Sequence, residues 1–411
     1  MKNKFFKNLF NSFIIVNFGN VLNYFTSIII IRSLTIEDYS LFITFFSLLF
    51  FFCLPNLILN QMILKMQNVI QNNYQIFTIV NKCIVIICFV SFIILFNLSD
   101  FIKNFFKLNQ VQYLEIYIIL ILILSLYWQF FSALFLQTRR YMTYNIITQT
   151  FFFIKFVFIL WLYINKDGNF EILLKAHIIS QALALLICIY FLKFFSIHHF
   201  ILKDKVKKFE NFKKKNIVKF LLSILISQLL LFALLNYDIL ICKKYCSDYE
   251  AGLYGAASTV SKIIYFLITS ISTVLLREIF HLNERKKTYI KLVIIISMLL
   301  LIIYNLTYYF FAENLINIFL DEKYNSKLFI QISTTLNIGM SGLILSSFLI
   351  IFFLTMNKDY YFIKQILIMF STFVITYLYN NENPQYIATI FLISSICLLS
   401  SLIYDFKKKI N

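Results

Sequence analysis

Apolar residues run through this chain in long unbroken segments separated by short polar ones. The segments are about 18 to 25 residues long and show no alternation of period two. A segment of this length crosses the hydrocarbon core of a bilayer as an α-helix, and the missing alternation argues against the strands of a transmembrane barrel. The twelve predicted spans are 12–31, 41–62, 77–97, 114–136, 146–164, 173–192, 220–241, 252–275, 290–311, 329–354, 363–379 and 386–403.

The composition also indicates a protein surrounded by lipid. Of the 411 residues, 61% are hydrophobic and only 14% are charged, and the mean hydropathy is +0.81. Soluble domains carry about 25% charged residues, so too few are present here to cover a surface facing water. Backbone groups in lipid have to be paired within their own segment, which leaves helices as the spanning elements. We therefore expect an all-α polytopic membrane protein with about twelve transmembrane helices.

The distribution of charge predicts the orientation. The net charge of +18 comes from short clusters of Lys and Arg between the apolar runs, a pattern that sets membrane topology and argues against a nucleic-acid partner. Most of these cations fall on the side that carries both termini, which predicts cytoplasmic termini and a multi-pass protein of the bacterial inner membrane. Because the longest predicted loop is the basic stretch 193–219, a soluble catalytic domain has no place, and we expect no enzyme activity.

A short internal repeat divides the chain into halves. Residues 37–42 (EDYSLF) and 249–254 (YEAGLY) each follow an odd-numbered span and lead into the next one, at an offset of 212 residues. Two parallel halves of this kind are typical of transporters that hold their substrate at the interface of the repeats. The predicted organisation is an N-terminal six-helix lobe over 1–192, a cytoplasmic basic linker over 193–219 and a C-terminal six-helix lobe over 220–411.

Three lysines lie within predicted spans, where an ionisable side chain costs about 2.5 to 3.5 kcal/mol and therefore indicates function. Lys155 and Lys262 occupy one span in each half, and we expect both to face a shared cavity that attracts an anion. Snorkelling to the interface is the alternative, although Lys155 is about nine residues, or roughly 13 Å, from either end of its span. Lys175 lies near the outer end of its span, where counter-charge for an anion and snorkelling both stay open.

Other polar residues in the spans leave two interpretations each. Asn17, Asn20, Asn23 and Tyr24 share one helix face in the first span, which suits either hydroxyl-rich sugars or hydrogen bonds between helices. Asp238 is a carboxylate near the outer end of the seventh span and is a candidate carrier of a proton or sodium ion, or a structural cap.

Sequence motifs for chemistry are missing. The seven cysteines show no metal-binding spacing, so we expect no metal and no cofactor. Cys242 and Cys246, four residues apart in a predicted outer loop, are either two unpaired thiols or a disulfide.

Two stretches resemble a known family. Residues 32–42 (RSLTIEDYSLF) resemble the Arg-x-Leu-Gly-Pro-Glu-Asp-Tyr-Gly-Leu-Phe segment that follows the first span of Wzx-type polysaccharide flippases. Residues 236–240 (NYDIL) and 250–257 (EAGLYGAA) resemble that family's second-half signature, Asn-x-Asp followed by Gly-Leu-Tyr-x-Ala-Ala. The chain departs from the pattern at Thr35 and Ile36, which replace Gly-Pro, at Ser40, which replaces Gly, and at Ile239, which replaces Arg.

The resemblance implies a protein of the multidrug/oligosaccharidyl-lipid/polysaccharide (MOP) exporter superfamily, with two six-helix lobes of the MATE and MurJ kind. Such a protein flips an undecaprenyl-diphosphate-linked oligosaccharide across the inner membrane by alternating access, for O-antigen or capsule assembly. The implied partners are the lipid-linked oligosaccharide, membrane lipids, a coupling ion (H⁺ or Na⁺), and a polysaccharide polymerase with other assembly proteins. Lys155, Lys262 and Lys175 would supply counter-charge to the diphosphate.

Two alternatives to this function stay open. One is a multidrug or small-molecule exporter of the same superfamily, although an exporter of cationic drugs is expected to place carboxylates rather than lysines in its cavity. The other is a membrane-embedded polysaccharide polymerase or ligase, which the short outer loops disfavour.

Overall fold

A computed structural model describes residues 2–67, 73–138, 140–195, 214–281, 286–355, 361–379 and 382–410. Within these ranges the chain forms twelve α-helices and one short 3₁₀ helix, and each predicted span falls inside one α-helix. The α-helices are α1 (Lys2–Ser33), α2 (Ile36–Gln67), α3 (Asn73–Phe105), α4 (Leu114–Gln137), α5 (Tyr141–Ile164), α6 (Phe170–Phe194), α7 (Lys214–Tyr245), α8 (Asp248–His281), α9 (Lys286–Phe319), α10 (Lys327–Thr355), α11 (Tyr361–Tyr379) and α12 (Pro384–Ile410). The 3₁₀ helix, Glu322–Tyr324, joins α9 to α10. Most of the predicted linker, residues 196–213, lies outside the described residues.

Most of these helices are suited to a membrane. In the described part of the chain, nine helices are long and apolar enough to cross a bilayer. The other three are α7 and α8, which carry Asp238 and Lys262, and α11, whose apolar stretch Gln365–Thr376 is shorter. The predicted fold class, an all-α polytopic membrane protein, is confirmed.

Helix α9 contains a kink and continues beyond its predicted span. The ninth predicted span ends at residue 311, but α9 continues to Phe319. Phe311 has φ and ψ angles of −122° and 18°, which are not helical, so two helical segments meet there. A kink at that point locally interrupts the hydrogen-bond ladder without ending the helix.

The helix ends repeat at the offset seen in the sequence. Ser33 ends α1 and Tyr245 ends α7, 212 positions later; Ile36 begins α2 and Asp248 begins α8, again 212 positions later. The short motif shared by the two halves therefore marks equivalent junctions between consecutive helices.

A helix N-cap stands just before each copy of that motif. At the start of α2, the Asp38 N–H donates to Thr35 Oγ1 at 3.1 Å. At the start of α8, the Glu250 N–H donates to Ser247 Oγ at 3.3 Å, and the Ser247 N–H donates back to Glu250 Oε2 at 3.1 Å. This reciprocal pair is a capping box, which satisfies backbone N–H groups that have no partner inside the helix. Thr35 thus caps a helix at a position where the flippase pattern has Gly.

The helices cluster into two compact units. The first unit comprises Met1–Thr26, Leu48–Asp167 and Glu171–Leu229, and the second comprises Ser27–Ser47, Gly168–Phe170 and Leu230–Asn411. We call Ser27–Ser47, the end of α1 and the start of α2, the corner segment; it belongs to the second unit although it comes from the N-terminal half. The predicted lobe boundaries at 192 and 220 stay a prediction.

Each unit has its own packing. In the first unit, Phe130, Phe135 and Ile84 lie at the centre of an apolar core that draws on α2 to α6. In the second unit, α10 packs against α12, where a Cβ atom at Gly339 would lie 2.7 Å from the Phe391 ring. The glycine therefore lets two helices approach closely, as small residues do at helix interfaces in membranes.

Candidate functional site

The second unit holds a buried charged cluster between α7 and α8. Asp238 is fully buried, and the Tyr254 hydroxyl donates to its Oδ2 at 2.9 Å. Lys262, two turns further along α8, donates from Nζ to Asn236 Oδ1 at 3.2 Å and acts electrostatically on Asp238. The structure thus brings together two residues that the sequence singled out separately, and it adds Asn236 and Tyr254.

One carboxylate oxygen of this cluster, Asp238 Oδ1, has no side-chain hydrogen-bond donor among the described residues. This oxygen is buried, while the backbone N–H groups of Asp238 and Ile239 act on the carboxylate. A buried polar atom left in this state costs about 1 to 3 kcal/mol, which a bound proton or cation offsets. The geometry is therefore that of a carboxylate able to exchange a small cation beside a fixed ammonium group.

The first unit holds a different cluster around Lys155. This residue is only 9% exposed, so its side chain lies inside the bundle rather than on the surface that meets lipid. Its Nζ is 6.0 Å from the centroid of the Phe151 ring. The Phe151 ring in turn lies 5.2 Å from His177 and 5.8 Å from Trp128, measured between ring centroids. The cation from α5 therefore lies beside the Phe151 ring, which itself contacts rings from α4 and α6.

Lys175 has a different environment. Its side chain is 56% exposed, and its Nζ lies 3.5 Å from Glu171 Oε2, one turn earlier in α6. Exposed pairs of this kind contribute at most about 0.5 kcal/mol. The exposed Lys175 therefore differs from the buried Lys155, and the predicted role of Lys175 in binding an anion stays a prediction.

The predicted polar stripe of α1 lies partly buried in the first unit. Asn17, Asn20, Asn23 and Tyr24 are neither fully exposed nor fully buried. On the same helix, a Cβ atom at Gly19 would overlap the side-chain amide of Gln149 on α5. The missing side chain at Gly19 thus lets α1 approach α5, the helix that carries Lys155, at that position.

The two copies of the repeat motif meet in the second unit. Lys243, at the end of α7, is fully buried, and its Nζ donates to Asp248 Oδ1 at 2.6 Å and to Ser40 Oγ at 2.7 Å. The Tyr39 hydroxyl lies 2.8 Å from Thr259 Oγ1. The corner segment is therefore held to the α7–α8 junction by a buried ammonium group.

The corner segment and α9 also cap each other. Arg32, at the end of α1, donates to the carbonyls of Ile318 and Leu320 at 2.5 and 3.0 Å, at the end of α9. Lys323, just after α9, donates to the carbonyls of Leu34 and Arg32 at 2.8 and 3.3 Å. The last carbonyls of a helix lack partners within it and carry partial negative charge, so each helix end is stabilised by a cation from the other. We call these four hydrogen bonds the reciprocal cap.

Lys323 lies in the connection after α9, outside the membrane-spanning segments. Partial burial lowers its pKa below the ordinary value for lysine, and the nearby Asp321 carboxylate opposes this shift.

Several of these residues could not be found from the sequence. Sequence position alone puts Lys243 among the loop charges and gives Trp128 and His177 no role. The one available signal for Lys243 is its position next to a repeated helix junction. Cys242 and Cys246 are both buried, and the structure shows two thiols that interact with each other and no disulfide between them.

Comparison with known proteins gives the fold. No family model matches the chain, and no curated protein matches it. Among solved structures, it is similar to the lipid II flippase MurJ in an inward closed conformation, with a TM-score of 0.68 and 14% identity over 96% of this chain and 87% of that one. It is similar to a multidrug resistance MATE family transporter of the MOP superfamily, inward-facing, with a TM-score of 0.70 and 11% identity over 95% and 94%. It is also similar to a mutant of the Vibrio cholerae MATE transporter VcmN, with a TM-score of 0.64 and 13% identity over 98% and 96%. The chain therefore has the two-lobe helical fold that MurJ and the MATE transporters share.

Proposed function

We propose that this protein is a flippase that moves an undecaprenyl-diphosphate-linked oligosaccharide across the bacterial inner membrane by alternating access. The observation that carries this proposal is the burial of Lys155 in the interior of a membrane-spanning bundle. A buried ammonium group in a membrane-spanning bundle is costly and is a functional candidate by default, which supports an anion path beside it. A diphosphate headgroup is such an anion, and its prenyl tail needs no polar path because it stays in the lipid.

Lys262 supplies a second cation in this proposal. Its Nζ donates to the neutral amide of Asn236, while the carboxylate of Asp238 acts on it electrostatically. With Asp238 ionised, the pair carries no net charge; when Asp238 takes up H⁺ or Na⁺, the pair becomes positive. Uptake of the ion would therefore raise the attraction for an anionic headgroup, which couples an ion gradient to transport.

The polar stripe of α1, Lys175 and the downstream partners complete the proposal. Asn17, Asn20, Asn23 and Tyr24 provide amide and hydroxyl groups that suit sugar hydroxyls, on a helix that meets the Lys155 helix at Gly19. Lys175 would attract the diphosphate at the outer end of α6. The product would then be taken by a polysaccharide polymerase and other assembly proteins for O-antigen or capsule, with both termini of the flippase in the cytoplasm.

The second candidate function is export of a multidrug or other small-molecule substrate. It is favoured by the TM-score of 0.70 with a multidrug resistance MATE family transporter. The two candidates differ in the sign of the substrate's charge, since buried lysines attract an anion and repel the lipophilic cations typical of drug export.

Reconstituted liposomes test the proposal. The full chain would be inserted with a fluorescent undecaprenyl-diphosphate-sugar, and wild type compared with Lys155→Ala, Lys262→Ala and the control Lys193→Ala, an exposed lysine at the end of α6. We expect transport by wild type and by the control, and a loss of at least about tenfold in each of the other two variants. Equal transport in all four proteins would overturn the role of the lysines. No transport by wild type under H⁺ and Na⁺ gradients, together with export of a cationic dye, would favour the second candidate.

A further inference from the structure

The cluster around Lys155 has the composition of a binding site for a particular kind of headgroup. We define the aromatic cluster as Trp128, Phe151, Lys155 and His177, which come from three helices of the first unit and are linked by the ring distances given above. A cation beside aromatic rings offers a ligand both a charge and an apolar surface, so it matches a ligand that has both.

Unsatisfied polar atoms lie beside this cluster. Trp128 Nε1 is buried and donates no hydrogen bond to any described residue. Gln181, one turn along α6 from His177 and 5% exposed, has a buried Oε1 that accepts none from the described residues. On α5, Asn145 is 2% exposed and its Nδ2 likewise finds no acceptor among them. Buried polar atoms are nearly always hydrogen-bonded in native proteins, so three of them on adjoining helices require an explanation.

Helix direction places these atoms at similar depths along the three helices. Five residues, 165–169, connect α5 to α6, so the two helices run in opposite directions. With His177 beside Phe151, the next turn of α6, which carries Gln181, lies level with the turn of α5 before Phe151, which follows Asn145. Lys155 lies one turn beyond Phe151 on the other side. The cation and the amides therefore flank the aromatic rings along the membrane normal.

The mixture of atom types identifies the ligand class. Trp128 Nε1 and Asn145 Nδ2 are donors, whereas Gln181 Oε1 is an acceptor. A simple anion satisfies only donors, and a cation satisfies only acceptors. A hydroxyl group both donates and accepts, so a polyol satisfies all three atoms, and a pyranose ring in addition offers an apolar face to an indole ring.

We infer that the aromatic cluster, with Asn145 and Gln181, is a subsite that recognises a sugar carrying a phosphate, with Lys155 on the phosphate and Trp128 against the sugar ring. This inference rests on the proposed function for its choice of a sugar phosphate, and it names the recognition residues of the first unit. Trp128 and Gln181 are then specificity-determining residues rather than parts of an inert core.

The two tryptophans of the chain allow a direct test. Trp161 is 58% exposed on the outer face of α5, so Trp161→Phe leaves Trp128 as the only tryptophan emitter. The full-length Trp161→Phe protein, in detergent micelles, would be titrated with glucose, galactose and N-acetylglucosamine 1-phosphates, with the free sugars, and with inorganic phosphate. We expect a saturable change in Trp128 emission with at least one sugar phosphate, and a Kd weaker by about tenfold in Lys155→Ala and in Gln181→Leu. The control Trp128→Phe, which keeps Trp161, should show no change.

Two results would overturn the inference. One is the lack of a saturable response to every sugar phosphate while the protein stays folded by circular dichroism. The other is an equal response to inorganic phosphate alone, which would indicate a simple anion site. The liposome assay separates this inference from the proposed function: transport that is unchanged in Trp128→Phe and Gln181→Leu would overturn the subsite and leave the flippase. A saturable sugar-phosphate response in a protein that transports no lipid-linked sugar would support the subsite and count against the flippase.

Discussion

The buried ion pair at the α7–α8 junction makes a sharp prediction about stability, because its two partners differ in burial. Lys243 is fully buried, whereas the Asp248 side chain is 44% exposed. Removing Asp248 takes the carboxylate from a buried ammonium group; this costs about 3 to 5 kcal/mol in fully buried pairs, and the partial exposure of Asp248 lowers the cost here. Removing Lys243 leaves a carboxylate that water solvates and the Ser40 hydroxyl without its donor, which costs about 1 kcal/mol.

The expected order follows from that asymmetry. Asp248→Ala should lower the thermal unfolding midpoint much more than Lys243→Met, which keeps the length of the side chain and removes the charge. The double variant should be more stable than Asp248→Ala alone, because it no longer contains a buried cation that has lost its carboxylate. Glu250→Gln is the matched control: it removes an acid from the same first turn of α8 and affects only the exposed capping box with Ser247.

The assay is thermal unfolding of the purified full-length variants in detergent micelles, followed by cysteine-reactive fluorescence because Cys242 and Cys246 are buried beside the pair. The reasoning would be refuted if Asp248→Ala and Lys243→Met lowered the midpoint equally. It would also be refuted if the double variant were no more stable than Asp248→Ala, since the difference in burial would then have no effect on stability.

Three further predictions concern the second unit. Arg32→Ala removes two of the bonds of the reciprocal cap, so amide hydrogen exchange at the end of α9 should become faster, whereas an exchange rate equal to that of wild type would show that the cap stabilises nothing. Gly252→Ala places a Cβ atom against the backbone carbonyl of Ile36, which cannot move aside, whereas Gly342→Ala places one 3.0 Å from the Ser395 hydroxyl. The unfolding midpoint should therefore fall by several degrees in Gly252→Ala and by less in Gly342→Ala. The reverse order would contradict the packing. Because burial lowers the pKa of Lys323, the folded protein binds fewer protons than the unfolded chain just below the ordinary lysine pKa, and stability should rise with pH in that alkaline window. Lys323→Met should abolish that part of the rise in the unfolding midpoint, and an unchanged pH profile would contradict the assignment.

The helices and their ends follow from the linear sequence alone. Each predicted span lies inside an observed helix, because a segment of apolar residues in lipid has to pair its backbone groups locally and needs no information from the rest of the chain. The same holds for the repeat: Thr35 and Ser247 cap their helices through side chains three residues away from their partners. Capping contacts between residues three apart can therefore be predicted from the sequence alone.

Which charges are buried, and what they contact, depends on the tertiary fold. Lys155 and Lys175 both lie in apolar segments of the sequence, yet one is 9% exposed beside the Phe151 ring and the other is 56% exposed beside Glu171. Lys243 has the sequence position of a loop cation, yet it is buried because Ser40, 203 residues away, packs against it. The burial of a side chain depends on which distant helices approach it, and the periodicity of one helix carries no information about that approach. The helices of this protein are therefore local properties of its sequence, whereas its candidate sites follow from the contacts made between them.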